Sequence, residues 1–292
     1  MKLVWSVLVL TLLLASPVSA QELTPEVYAT TFAELTGADA AARATAAETL
    51  GRRASSHRTE IVPVLRRLVR EDPQWEVRAS AGRALGRLAA RDAVPDLVRA
   101  LRDPVVDVRV VAAAAIWRLP DPAAVPALIE LLGDADASAR QWATLALGVI
   151  RDTRATAPLA GLLHDPESSV RVDVVRSLGR IRDAGALAPL EAFVRESGRE
   201  PEERAEAINA IAGLDTPDRV EALGRLLDHS DRGVRQHAAE ALGQVGDALV
   251  LPTLRHRLTA ERVPQVRTAV SAAIAAIEAR AATPTPPPSG AH

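Results

Sequence analysis

The chain of 292 residues carries 35 Lys and Arg against 37 Asp and Glu, a formal net charge of −2, with 2% aromatic residues and no cysteine. Near-neutrality excludes the broad positive field that displaces counterions from nucleic acid. The lack of cysteine excludes disulfides, thiolate metal sites and a lipid-modified cysteine behind a leader, and because Lys2 is the only lysine no Gly-x-x-x-x-Gly-Lys phosphate loop exists.

Residues 1–20 are a different material from the rest. Met1-Lys2 supplies one positive charge, residues 3–15 are apolar except for Ser6 and Thr11, and Val18-Ser19-Ala20 offers small residues at a cleavage position. This is the layout of a secretory signal peptide cut after Ala20, and the apolar run is short for a membrane span. The expected product is exported, periplasmic or secreted, and not stably inserted in a membrane. Without disulfides it must draw its stability from packing.

After the leader, Pro25 opens a helix whose apolar stripe of Val27, Phe32 and Leu35 ends at Gly37, and a second helix is expected over about residues 38–54. Tyr28 and Phe32 are expected to cover the end of the assembly. From there the chain repeats. Arg78, Arg109, Arg140 and Arg171 follow one another every 31 residues, and Arg43, Arg204, Arg235 and Arg267 extend the series at intervals of 31 to 35. A period of this length marks small supersecondary units that bury their apolar faces only against one another. The reading is an all-α, right-handed α-α superhelix of about eight helix pairs over residues 21–282.

Each unit has the same grammar. Its first helix carries Pro-x-Leu or a relative, at Pro63, Pro95, Pro126, Pro158, Pro189 and Pro252, with the proline expected in the first turn, where a missing N–H costs nothing. A break follows, written Asp72-Pro73, Asp103-Pro104 and Asp165-Pro166, in which aspartate accepts bonds from the N–H groups opening the next helix. The second helix carries Val-Arg-x-x-Ala-x-x-Ala-Leu-Gly, clearest over residues 234–243. Its alanines permit close helix approach, and its glycine is read as ending the helix or allowing a tight turn. Residues 283–292, Thr-Pro-Thr-Pro-Pro-Pro-Ser-Gly-Ala-His, have nothing to pack and read as a disordered, partly polyproline tail.

This pattern resembles the HEAT repeats, in particular the short variety named after phycobilisome lyases, across about residues 25–280. The resemblance implies that the recurring Asp and Arg form a buried structural ladder between units, involving Asp103 with Arg109, Asp165 with Arg171, and Arg78 and Arg140. The sixth unit departs from it, with Gly198-Arg-Glu-Pro201 in place of Asp-Pro. The third has Trp117 where its siblings carry glycine.

The residues do not converge on catalysis. The six histidines lie scattered, and none forms the His-Glu dipeptide by which the related deoxyhypusine hydroxylase binds iron. His229 and His237, with Asp231 and Glu240, read as surface residues and not as a metal site. Ser168 and Ser169 read as helix-capping residues. No cofactor and no metal are expected, and the chain is read as a non-enzyme and a monomer. The competing class is an enzyme of HEAT-like type: a metal-dependent hydroxylase, a bilin lyase, or a DNA glycosylase using Trp117, Trp142 and Asp173.

Counting from each ladder arginine locates the units' irregularities. Positions −1, +3, +6, +7 and +10 are apolar and cluster on one side of a helix, so they form the core. Positions +1, +5 and +8, flanked by +2 and +9, are expected to line a concave groove. Its middle reads as apolar and aromatic, with Trp117, Trp142 and Leu145 as an anchor and Arg83, Arg87, Arg118, Arg176 and Arg180 as a rim. Exposed apolar patches with polar borders mark binding surfaces, and Trp and Arg dominate interface energies. The expected function is an exported, non-catalytic scaffold holding a partner protein or peptide. Trp75, beside the Asp72-Pro73 break, is assigned to packing.

Overall fold

The computed structural model describes residues 22–282, so the leader and the Pro-rich tail lie outside the described residues. These residues form sixteen α-helices and no strand. They pair as Pro25–Glu34 (α1) with Ala40–Arg53 (α2), Arg58–Glu71 (α3) with Trp75–Arg87 (α4), and Val94–Ala100 (α5) with Val106–Arg118 (α6). Next come Val125–Leu131 (α7) with Ala137–Ile150 (α8), Thr156–Gly161 (α9) with Ser168–Ile181 (α10), and Leu187–Arg195 (α11) with Pro201–Gly213 (α12). Asp218–Leu226 (α13) with Arg232–Val245 (α14) and Leu251–Ala260 (α15) with Pro264–Ala282 (α16) complete eight pairs. The chain divides into two compact units after Leu119, the first holding three pairs and the second five.

Within each unit the second helices stack on one another in order. A glycine eight residues past the arginine, present in five of the eight pairs, brings these helices close. It lies inside the helix, not at its end: a Cβ added at Gly51 would stand 2.6 Å from the Ala84 Cβ, and one at Gly86, Gly179 or Gly243 would stand 3.1 Å from the Cα of Ala115, Ala210 or Ala273. Gly148 faces Ser177 in the same way. The glycine therefore serves close backbone approach, which corrects its assignment as a terminator. Helices α8 and α10 instead end on Arg151 and Arg182 in the left-handed region, at φ 60° and 65°.

The apolar positions counted from the arginines are buried as their spacing requires, from Leu50 and Leu85 to Ile211 and Leu242. Short 3-10 turns such as Arg91–Ala93 and Pro122–Ala124 lead into most first helices. Pro63 falls inside α3 instead of in its first turn, because that helix begins a full turn earlier than the proline suggests. The serines expected to cap α10 lie within its first turn and make no cap; the Asp165 carboxylate accepts from the Glu167 N–H at 2.9 Å instead.

The arginine ladder has a definite register. Arg78 donates from Nε and Nη2 to the Asp103 carboxylate at 2.7 and 2.9 Å, and from Nη1 to the Asp72 carbonyl at 2.9 Å. Arg43 makes the same fork to Asp72 in the first unit, as Arg140 does to Asp165 in the second. Each carboxylate thus serves the arginine of the preceding pair, while its own arginine takes its carbonyl: Arg109 reaches the Asp103 carbonyl at 2.8 Å and Arg171 that of Asp165 at 2.8 Å. Where the sixth pair lacks the Asp-Pro break, Glu203 supplies the carboxylate to Arg171 at 2.9 Å.

Candidate functional site

A helix stacked on both sides leaves only a narrow strip for solvent, which runs along positions +5 and +9 and is widened by two partly exposed residues at its edges, Trp117 at +8 and Trp142 at +2. Except at Trp117, position +8 carries the small residues of the close contacts just described, and much of +2 is buried too, including Ser80, Val111 and Asp173. The apolar band expected in the middle is therefore narrower than the sequence reading made it. Of the eight anchor and rim residues, Arg83, Arg87, Trp117 and Arg118 belong to the first unit; Trp142, Leu145, Arg176 and Arg180 belong to the second.

On the first unit the strip is a charge cluster. Arg83 and Arg87 converge on one carboxylate, Glu48 of α2, at 2.5 and 2.6 Å. Burial works against ionisation of Glu48, but the bonds from Arg87 and Arg83 outweigh it and hold its carboxyl below the usual range. Trp117 is half-buried, and the Arg118 guanidinium carbon lies 5.8 Å from its ring centroid, within cation–π range.

On the second unit Trp142 and Leu145 are half-buried on α8, which packs against α10. Gln141 donates to the Asp173 carboxylate at 2.7 Å, and Arg176 reaches Glu206 at 2.7 Å and Asp173 at 3.8 Å. Arg180 is exposed. The arginines expected as a bare basic rim are thus largely neutralised by carboxylates from adjoining second helices. The sequence reading missed Glu48, although the signal was present: Glu48 and Arg83 occupy the same +5 position in consecutive pairs, which places opposite charges side by side.

The remaining singled-out residues are dispersed. Trp75, at the start of α4, keeps 37% of its surface exposed, more than packing at the helix opening implies. His164 meets Glu196 at 2.8 Å, and His237 Nδ1 lies 2.8 Å from the Gly233 carbonyl of its own helix. Tyr28 donates to Glu60 at 2.9 Å and stacks on His57; burial first and Glu60 second push its hydroxyl up to about 12. Among the described residues no group of three or more His, Asp or Glu is placed to hold a metal ion.

A separate groove of about 920 Å³, which shares no lining residue with the anchor and rim, lies in the second unit between α13 and the turn Ala248–Val250. The sequence reading did not anticipate it.

The family described as HEAT repeats matches residues 29–116, 100–171, 125–200 and 193–275. The chain belongs to the HEAT-repeat family. No curated protein matches it. Among solved structures, the CpcE–CpcF complex of phycocyanin lyase from Nostoc sp. PCC7120 is similar at 24% identity and a TM-score of 0.50, over 88% of this chain and 95% of that one. An engineered protein is similar at 23% identity and a TM-score of 0.56, over 86% and 78% of the two chains. YibA of E. coli is similar at 18% identity and a TM-score of 0.52, over 86% and 82%. These likenesses establish an all-α helical-repeat solenoid.

Proposed function

We propose that this HEAT-repeat chain is an exported, non-catalytic scaffold that holds a partner protein or peptide on the solvent-facing side of the second helices in each of its compact units. The observation that carries the reading is the partial exposure of Trp117 and Trp142. Both stand where sibling pairs mostly carry small or polar residues, and an aromatic kept half in water is the side chain an interface uses most. The paired arginines of the same second helices or their neighbours, Arg83, Arg87 and Arg176, support recognition by geometry and hydrogen bonding more than by net attraction, because their charge is already met by Glu48 and Glu206. Preformed helices reduce the ordering cost on the scaffold side.

Export rests on the composition of residues 1–20, and no helix of the described residues is long and apolar enough to cross a membrane. Protein recovered from the exported fraction should begin at Gln21 on N-terminal sequencing; an intact Met1 would remove the export half of the proposal. The Trp117→Ala/Trp142→Ala variant should retain its circular dichroism and melting behaviour yet lose at least about tenfold in partner capture from that fraction, about 1.4 kcal/mol. Undiminished capture would sink the strip as the binding surface. Stoichiometric iron in the purified protein would replace the scaffold reading with that of a metal-dependent hydroxylase.

A further inference from the structure

The groove between α13 and the Ala248–Val250 turn lies apart from the second-helix strip, and one residue makes it unlike the corresponding places elsewhere. Leu249 is 86% exposed. It is the middle residue of the 3-10 turn that leads into a first helix, and the equivalent residues in the other turns are Ser56, Asp92, Ala123, Arg154 and Gly185. A leucine offered to water where the repeat otherwise places small or polar residues has no folding purpose, since the turn forms equally well without it. Val220, Val245 and Val250 continue the apolar surface into the groove.

The border of this surface is acidic. Asp215, Glu221, Asp228 and Asp247 line the groove with two arginines, Arg219 and Arg225; Asp215 is paired with Arg182 at 2.7 Å, which leaves Asp228 and Asp247 as the least compensated carboxylates. Arg225 gives Nε and Nη2 to Glu191 at 2.9 and 2.6 Å, leaving only Nη1 for Glu221. Arg219 turns Nη1 to the Leu214 carbonyl. Among the described residues Asp228 is met only by Arg257 at 3.4 Å, and Arg257 holds Glu261 more closely at 2.6 Å. Asp247 caps the turn through the Leu249 N–H at 2.9 Å, and no guanidinium among the described residues is paired with it. An apolar floor bordered by two weakly compensated carboxylates, Asp228 and Asp247, is complementary to a cationic, amphipathic occupant.

We propose that this groove is a second docking site, for a protein segment that carries arginine or lysine beside a leucine-sized side chain. The apolar side chain lies against Leu249 and the valines, while the cation meets Asp247 and Asp228.

The test is a titration of the full chain with a fluorescein-labelled twelve-residue peptide made of Arg-Ala-Leu-Leu repeats. Saturable binding that weakens as salt is raised is expected, with about tenfold loss in Leu249→Ser and a comparable loss in the Asp228→Asn/Asp247→Asn variant. Asn at position 247 retains an oxygen for the cap, and Leu249 is exposed, so unchanged thermal melts accompany both variants. The Trp117→Ala/Trp142→Ala variant should bind this peptide normally, which separates the groove from the second-helix strip. Absence of saturable binding, equal binding of the Glu-Ala-Leu-Leu counterpart, or indifference to Leu249→Ser would each overturn the proposal. So would a dimer in sedimentation that Leu249→Ser dissolves, because the groove would then belong to a second copy of the chain.

Discussion

Glu261 shows what the ladder does at the level of one side chain. It is buried at the end of α15, accepts from Arg235 Nε at 2.8 Å and from Arg257 at 2.6 Å, and takes the Arg262 and Val263 N–H groups at 3.0 and 2.9 Å. The Arg235 bond, working against burial and aided by the Val263 amide and Arg257, holds its carboxyl far below the usual range. Its value lies in completeness. Removing one partner of a buried pair leaves the other charge uncompensated, so Glu261→Ala should lower stability by about 3 kcal/mol in urea titrations. Nothing in the sequence distinguishes Glu261 from the exposed Glu221: the Arg235 carboxylate comes from a position with no Asp-Pro break, and only the fold shows that a glutamate reaches it.

At the scale of the helix, glycine has two opposite meanings in this chain. Gly51 is a contact point, and a methyl group there would meet the Cα of Ala84 at 2.7 Å. Backbone cannot yield as a flexible side chain does, so Gly51→Ala should destabilise by about 1–3 kcal/mol despite alanine's better helix propensity. Gly224, within α13, has nothing within 4 Å of its added Cβ. Gly224→Ala should therefore stabilise by about 0.5–1 kcal/mol. Chemical denaturation of the two variants beside the parent checks both signs. The repeat grammar identified the recurrent glycines but misassigned them, because a glycine late in a helical pattern reads the same whether it ends the helix or admits its neighbour. Trp117 is the telling exception: it occupies this same position, and the change from glycine to the bulkiest side chain falls just before the boundary of the two compact units.

Across the molecule, these local arrangements set how stability depends on pH. Burial lowers the His229 value below 6.5, as does the Arg204 charge; its Nδ1 accepts the Asp231 N–H at 3.0 Å, which requires the neutral ring. A group whose folded value is depressed contributes stability that is present above its unfolded value and lost as pH falls, so His229 begins to cost stability below about pH 6.5. Asp96, Asp165 and Asp231 follow. Burial opposes their ionisation, but Arg66 and Arg70, Arg140, and the Gly233 amide respectively keep them below 3.8. Their contribution, with that of Glu261, is present above the ordinary carboxylate range of 3.8–4.5 and is lost as pH falls below it. Melting temperature followed downward from pH 7 should show a shallow early decline and a steep one below pH 4.5, and His229→Gln should remove the first while leaving the second.

The sequence by itself determined the all-α class, the eight helix pairs, the buried positions counted from each arginine and the places where repetition stops. These are properties of a period, and a period is written in one dimension. The tertiary structure decided which solvent-facing positions remain available, because that depends on what a neighbouring helix covers. It closed position +8 at the glycines but left Trp117 there partly exposed, paired Arg83 and Arg87 with Glu48, and assigned Trp117 and Trp142 to different compact units. It also left Leu249 in water above an acidic groove. The physical reason is that burial and charge compensation are made between repeats about thirty residues apart, so they are legible only where equivalent positions of neighbouring repeats are compared, as for Glu48 and Arg83, and not from the pattern within one repeat.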